Sequence, residues 1–155
     1  MRQAVRIRPA DPYEGGRLRE IAVAAKSHWG YDAADVERWA ADGDFSPEGL
    51  RAKEFFVAEA RGRAIGWGSV IPQGEVCCLD DLWVEPESMR KGVGSALFRH
   101  AVARARQLGA LRLEWEAEPN AVAFYEAMGA VRLGDGRVSA WGRVIPVMAL
   151  EIPTD

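Results

Sequence analysis

The feature that most constrains this chain is a long apolar run that leads into a glycine-containing loop. Residues 75–84 (EVCCLDDLWV) form a nearly continuous apolar run that only acidic residues interrupt, which predicts a central strand buried on both faces. Gly92-Val93-Gly94 then opens a helix predicted to reach about Leu108, and alternation over 111–115 predicts another strand. Because a strand, a crossover helix and a strand form a right-handed parallel unit, we expect one parallel pair in the sheet.

Shorter strands on either side of this unit predict antiparallel pairing. Residues 55–60 and 64–71 are separated by a three-residue turn and indicate a hairpin. A strand begins near Val131, and a last one covers 144–152, where Pro146 suggests a sheet edge or a bulge. The predicted fold is a mixed, mostly antiparallel α/β sheet with helices on both faces. No Pro/Gly/Ser-rich linker divides the chain, so we predict a single domain over 1–155.

Capping residues predict where the helices begin. Asp11, with Pro12 at the first helical position, indicates the start of helix 1. Asp32 is expected to cap a second helix that ends near Gly43, and Asn120 a short helix stopped by Gly129. Two helices have apolar faces at helical spacing: Leu18, Ile21, Ala22 and Ala25 on the first, and Val93, Leu97, Ala101 and Leu108 on the long one.

Composition excludes several classes of protein. The chain has 155 residues, with 20 basic and 23 acidic side chains and a net charge of -3, which argues against a general nucleic-acid binder. The two cysteines are adjacent and only two histidines are present, so we expect no disulfide framework and no metal site. No apolar stretch has the length of a signal peptide or a membrane span, so we expect a cytoplasmic protein without a membrane partner.

The loop at 88–95 (SMRKGVGS) has the chemistry of an anion site. It joins a buried strand to the start of a helix, where the first backbone amides have no partner within the helix and the dipole is positive. Glycines allow a diphosphate to approach the backbone, and Arg90 and Lys91 add charge. The loop lacks the Walker A ending, and Leu97 breaks the GxGxxG fingerprint. A glycine loop that binds nothing remains the alternative.

In this context the sequence resembles the GNAT superfamily of N-acetyltransferases. The resemblance rests on Leu82-Trp83-Val84-Glu85-Pro86, on the glycines of the loop and on 120–129. It covers nearly the whole chain in element order and is specific over 79–134. Met89 departs from the pattern, because the family usually has Gln or Arg there. The segments 27–31, 119–125 and 142–146 further resemble a bacterial subgroup for which no substrate is assigned.

The resemblance implies that acetyl-CoA is the co-substrate and that the sheet splays at its site. Backbone groups at Leu82, Trp83 and Val84 would then hydrogen-bond the pantetheine arm, with Asn120 and Phe124 also in contact with the co-substrate. The amides of the loop would hold the diphosphate, which assigns this role to Arg90, Lys91, Gly92, Val93, Gly94 and Ser95.

Direct attack of an amine on a thioester needs an acid and a base. The family commonly places a tyrosine near the sulfur as general acid, and the matching residue is Tyr125; a core tyrosine is the alternative. An alkyl ammonium has a pKa of about 10.4, so a carboxylate or a relayed water must take its proton. Asp80 and Asp81 interrupt the central strand on opposite faces, with Asp81 slightly preferred; a paired structural carboxylate is the alternative for each.

The family forms one wall of the acceptor site from the connection between the first two helices. Here that region carries His28, Trp29 and Tyr31, of which His28 is a second candidate base. Ser139 and Arg143 are candidates to contact a carboxylate-bearing acceptor. The acceptor is expected to be a small-molecule or peptide amine, and the last strand offers a route to a homodimer.

Two other functions compete with an acetyltransferase. One is a non-catalytic acyl-CoA-binding module that senses its ligand, and the other is an enzyme that uses a different acyl-CoA donor such as succinyl-CoA. A covalent acyl-enzyme on Cys77 or Cys78 is less favoured than cysteines that serve as small apolar residues in a buried strand.

Overall fold

The fold alternates helices with the strands of one sheet. A computed structural model describes residues 2–139 and 142–153. The strands are β1 Arg6–Pro9, β2 Glu54–Ala60, β3 Arg63–Gln73, β4 Val76–Val84, β5 Arg112–Glu116, β6 Val131–Val138 and β7 Val144–Glu151. The helices are α1 Gly15–His28, α2 Ala33–Ala41, α3 Pro47–Arg51, α4 Val93–Gln107 and α5 Val122–Ala127, with 3₁₀ turns at Pro86–Ser88 and Pro119–Ala121.

The seven strands lie in the order β1-β2-β3-β4-β5-β7-β6. The β4–β5 pair is parallel, whereas β1–β2, β5–β7 and β6–β7 are antiparallel. The mixed, mostly antiparallel sheet with a central parallel pair is therefore confirmed. The parallel register joins Val76–Cys78 to Arg112–Glu114, while β4 itself continues to Val84. The splay expected after this point stays a prediction.

The chain divides into two compact units. The first comprises the residues up to Ser69 together with Asp81–Ala101, and the second comprises Val70–Asp80 and the residues from Val102 onward. The single domain over 1–155 stays a prediction. Among the described residues no helix is long and apolar enough to cross a membrane.

The core of the first unit forms against the apolar face predicted for α1. Leu18, Ile21, Ala22 and Ala25 are each at most 2% exposed. Leu18, Ile21 and Ala22 pack in one cluster with strand residues that include Trp67, whose indole N–H donates to the carbonyl of Leu18 at 2.8 Å. This bond removes the main cost of burying a tryptophan, which is an unpaired N–H.

Two predicted patterns of burial are wrong at their ends. Val93, Leu97 and Ala101 of α4 are buried, but Leu108 lies beyond the helix and is 38% exposed. On β4, Cys77 and Leu79 are buried, whereas Asp80 is exposed and the residues after it are only half-buried. Ionised carboxylates need water or polar partners, so the two aspartates prevent burial of both faces in this half of the strand.

Two of the three predicted helix starts differ from the structure. The Asp11 carboxylate accepts from the amide of Tyr13 within a turn, and α1 begins only at Gly15. Asp32 caps α2 as predicted, with Ala34 as the donor. Asn120 lies inside a 3₁₀ turn whose cap is Glu118, so it does not cap α5.

Helix α3 and the position of Pro146 also differ from the predictions. Helix α3 was not predicted, although Ser46 caps it by accepting from the amide of Gly49. Pro146 does not mark an edge, because β7 lies between β5 and β6. The bulge alternative holds instead: Pro146 pairs with Asp135 next to a register shift in β6.

Candidate functional site

The loop before α4 combines exposed amides with a left-handed backbone. Arg90 has φ 62° and Gly92 has φ 85°, so the chain turns twice before the helix begins. The first hydrogen bond of the helical ladder runs from the amide of Ala96 to the carbonyl of Gly92 at 3.0 Å. The amides of Val93 to Ser95 therefore precede the ladder and are available to an anion. A residue other than glycine at positive φ is strained, and such strain is common at ligand sites.

The N-terminal segment adds a positive charge to this loop. The amide of Gln3 donates to the carbonyl of Lys91 at 2.7 Å. A Cβ atom added at Gly92 would lie 2.7 Å from Nη1 of Arg2, so this guanidinium rests against the loop. Arg2 was not foreseen, because ninety residues separate it from the loop and no local pattern marks it. Together with Arg90 and Lys91 it gives the loop three cationic side chains.

A buried carboxylate anchors the start of the loop. Glu85 is 5% exposed and contacts two arginines, with Arg17 Nη2 at 2.6 Å and Arg63 Nη1 at 2.9 Å from its oxygens. Ser88 Oγ donates to the same carboxylate at 3.1 Å. Burial opposes ionisation, but the hydrogen bonds from Arg17, Arg63 and Ser88 outweigh it and hold the pKa of Glu85 below its ordinary value. The network joins α1, β3 and the 3₁₀ turn at the point where β4 ends.

The two aspartates of β4 have different surroundings. Asp81 Oδ2 accepts from Lys53 Nζ at 2.8 Å and from Ser69 Oγ at 2.5 Å. Asp80 is exposed. Asp81 therefore has the contacts of a paired carboxylate, the alternative raised from the sequence, and both contacts use the same oxygen. The assignment of either aspartate as base stays a prediction.

The residues predicted to wall the acceptor site separate into two groups. His28 and Trp29 are exposed and contact each other edge to face, with ring centroids 5.0 Å apart. The ring centroid of Tyr31 instead lies 4.7 Å from Nζ of Lys26. The same ammonium lies 5.3 Å from the ring of Trp39 and 5.9 Å from that of Trp83.

Lys26 with these three rings forms what we term the aromatic cage (Lys26, Tyr31, Trp39, Trp83). Lys26 is only 7% exposed. Its position was discoverable, because it follows Ala22 by four residues on the apolar face of α1. The indole N–H of Trp83 is buried and has no hydrogen-bond partner among residues 2–139 and 142–153.

The second unit holds the predicted acid. Tyr125 is 6% exposed, and its ring packs 4.9 Å from that of Trp115 and 5.1 Å from that of Phe124. The side-chain amide of Asn120 donates to Glu118 Oε1 at 2.7 Å. These contacts fit a core tyrosine as well as a general acid, so the roles of Tyr125, Asn120 and Phe124 stay predictions.

Ser139 and Arg143 face each other across the β6–β7 connection. The Ser139 amide donates to the Arg143 carbonyl at 2.7 Å, and the Arg143 amide donates to Ser139 Oγ at 3.2 Å. Their predicted contact with an acceptor is untested. Cys77 is buried and Cys78 is half-buried. The described part of the chain contains no group of three or more His, Cys, Asp or Glu side chains able to hold a metal ion.

The mixed, mostly antiparallel sheet with one parallel pair matches the fold of GNAT acetyltransferases. The sequence profile of the Acetyltransferase (GNAT) family matches residues 16–130, and the chain belongs to this family. The family predicted from the sequence is therefore confirmed.

Individual relatives agree with this assignment. An uncharacterized N-acetyltransferase of Methanocaldococcus jannaschii is 32% identical over 85 residues, which cover 48% of this chain and 38% of that relative. The match thus spans well under half of the relative's length.

Solved structures share the fold over nearly the full chain. A GCN5-related N-acetyltransferase of Rhodopseudomonas palustris has a TM-score of 0.81 at 24% identity and covers 97% of this chain and 98% of its own. PaiA N-acetyltransferase of Thermoplasma acidophilum, in complex with coenzyme A, has a TM-score of 0.75 at 19% identity, with 96% and 99% covered. YncA of Salmonella typhimurium, a putative acetyltransferase with acetyl-CoA, has a TM-score of 0.70 at 19% identity, with 99% and 96% covered.

Proposed function

We propose that this chain is an N-acetyltransferase that transfers the acetyl group of acetyl-CoA to a primary amine. The observation that carries the proposal is the loop at 89–95, where left-handed Arg90 and Gly92 lead into the first turn of α4, whose amides precede the hydrogen-bond ladder that begins at Ala96. Such a site suits a diphosphate. Two solved relatives of this fold contain coenzyme A or acetyl-CoA, which supports the same choice of co-substrate.

Different groups of residues are proposed to hold the phosphates and the pantetheine arm of the co-substrate. The amides of 90–95 and the side chains of Arg2, Arg90 and Lys91 would bind phosphate oxygens. Backbone groups of Leu82, Trp83 and Val84 would pair with the amide groups of the pantetheine arm, in the manner of a neighbouring strand. Asn120 and Phe124 complete the proposed set.

The co-substrate supplies a thioester that an amine can attack directly. An acceptor that arrives as an ammonium first loses one proton, which passes through the base to solvent. Attack by the neutral amine then forms the C–N bond and breaks the C–S bond, the nitrogen gives up a second proton, and the leaving sulfur gains one. Tyr125 is proposed to donate its hydroxyl proton to the sulfur. Asp81 is the proposed base, acting directly or through a water, with Asp80 as the second candidate. Lys53 and Ser69 occupy Oδ2 of Asp81, which leaves Oδ1 to accept the proton.

The proposal is tested by release of free thiol from acetyl-CoA over a panel of amines. We expect thiol release to depend on the amine and to yield one acetylated amine per thiol, identified by mass spectrometry. Binding of acetyl-CoA together with slow, amine-independent hydrolysis would contradict the proposal and would indicate the sensing module instead. Faster thiol release from succinyl-CoA than from acetyl-CoA would contradict the choice of donor.

A further inference from the structure

The aromatic cage contains a charge at a position where the fold calls for an apolar side chain. Leu18, Ile21, Ala22 and Ala25 fill the buried face of α1, and Lys26 continues that face at 7% exposure. Burial of an ammonium group is costly without compensation. The faces of three aromatic rings within 6 Å supply part of that compensation, since each ring presents a negative face to the cation.

A second polar group in the cage independently indicates a ligand. The ring of Trp83 packs edge to face against Trp39, with centroids 5.1 Å apart. Its indole N–H is buried, and among the described residues no oxygen or nitrogen accepts it. Buried donors are nearly always satisfied, so an orphaned one indicates an acceptor that a bound molecule or water supplies.

Taken together, the cage offers one cation and one neutral donor on an aromatic surface. We propose that it binds a carboxylate carried by the acceptor, so that the substrate class is an amine with an acidic group. A carboxylate has two oxygens that accept separately, one from Lys26 Nζ and the other from Trp83 Nε1. A second ammonium group is disfavoured at the same place, because Lys26 already lies within 6 Å of all three rings. This inference rests on the proposed acetyltransferase function.

The rim of the cage gives the carboxylate a route in. Tyr31 and Trp39 are half-buried, and Tyr31 follows the exposed Gly30. Gly30 has φ 85°, and a Cβ atom added there would meet nothing within 4 Å, so this connection borders open space. The Tyr31 ring lies next to the Lys26 ammonium, with 4.7 Å between its centroid and Nζ, so it would border the entering carboxylate.

The kinetic experiment compares matched acceptors that differ only in the acidic group. The ω-amino acids from 3-aminopropanoate to 6-aminohexanoate are each paired with the corresponding carboxamide. We expect kcat/KM to favour the best carboxylate over its carboxamide by about thirtyfold, the range seen for a lost partner of a buried charge. Lys26→Met should abolish this preference without changing the KM for acetyl-CoA, and Trp83→Phe, which keeps an aromatic ring but removes the N–H, should reduce it.

Arg19→Met is the matched control, because it removes one positive charge from the same helix. Arg19 pairs with Glu37 on the exposed side of α1 and α2. The control should retain the full preference for the carboxylate. Equal kcat/KM for carboxylates and carboxamides in the wild type, or a preference that survives in a folded Lys26→Met variant, would overturn the inference.

A binding experiment decides the inference without turnover. The indole N–H resonance of Trp83 is assigned by its absence in Trp83→Phe, and the chain is titrated with the N-acetylated ω-amino acids and their carboxamides. A saturable shift of that resonance with the N-acetylated ω-amino acids but not with their carboxamides supports the inference. No shift with the N-acetylated ω-amino acids at millimolar concentration overturns it. Failure of the proposed function has a different signature: no amine in any panel releases thiol, whatever the NMR titration gives.

Discussion

A substitution at Tyr125 can separate the chemical role of its hydroxyl from the packing role of its ring. Its ring contacts Trp115 and Phe124, and phenylalanine preserves both contacts. If the hydroxyl protonates the leaving sulfur, Tyr125→Phe should lower kcat by about 10²-fold, the lower range for general acid catalysis. The KM for acetyl-CoA should stay unchanged. Thermal unfolding of the variant shows whether the core is intact, and full activity in a folded variant would exclude Tyr125 as the acid.

A substitution at Gly92 tests whether the backbone conformation of the loop matters for binding of the phosphates. At φ 85° an alanine costs about 1 kcal/mol of stability, because L residues are strained there. The three atoms nearest to the added Cβ all belong to Arg2, whose flexible side chain can move. We therefore expect Gly92→Ala to lower the free energy of unfolding modestly but to raise the Kd for acetyl-CoA, measured by calorimetry.

Gly74→Ala is the matched control for this change. Gly74 has φ 73° and open space around it, so alanine there incurs the same backbone strain away from the loop. The two variants should lose similar stability in urea titrations. A Kd for acetyl-CoA that changes equally in both, or in neither, would show that the loop conformation is irrelevant to binding.

The Glu85 network explains how the end of β4 is fixed to α1 and β3. Its folded pKa is lowered, so its contribution to stability is fully present well above the ordinary glutamate pKa of about 4.3 and is lost as the pH falls through the folded value. Glu85→Gln keeps the shape but removes the buried counter-charge that Arg17 and Arg63 share. We expect it to cost about 2 kcal/mol at pH 7 in urea titrations.

The difference in the free energy of unfolding between wild type and Glu85→Gln should become smaller as the pH is lowered below about 4. Glu87→Gln, two residues further on at an exposed position, is the control and should change the free energy of unfolding by less than about 0.5 kcal/mol. A difference in the free energy of unfolding that is independent of pH would contradict the role given to the ionised carboxylate.

Elements with strong periodic patterns were predictable, whereas short elements and distant pairings were not. The spacing of Leu18, Ile21 and Ala25 predicts α1 because burial of one helical face dominates its energetics. Helix α3 has five residues and no period to detect. Asp11 and Asn120 are reasonable caps, but Asp11 accepts from the Tyr13 amide in a turn before α1, and Asn120 lies inside a 3₁₀ turn that Glu118 caps.

The candidate site was predictable where it is local in sequence. The loop at 88–95 carries its own chemistry in consecutive residues. Arg2 beside Gly92 and Lys53 beside Asp81 depend on the folded path of the chain, which single-sequence patterns do not encode. The aromatic cage lies between these cases: Lys26 is marked by helical spacing, but Trp83 joins it only through the fold.

Binding of acetyl-CoA should be visible in the stability of the whole chain. A ligand at 100 times its Kd adds about 2.7 kcal/mol to the free energy of unfolding. For a chain of this length that corresponds to a rise in Tm of roughly 5–10 °C. Because Arg2, Arg90 and Lys91 contribute by charge, the rise should shrink between low and high salt. Arg2→Met should show a smaller rise and a weaker salt dependence in differential scanning fluorimetry. An unchanged Tm at millimolar acetyl-CoA would contradict the proposed co-substrate, whereas a rise that is insensitive to salt would contradict only the role given to these three cations.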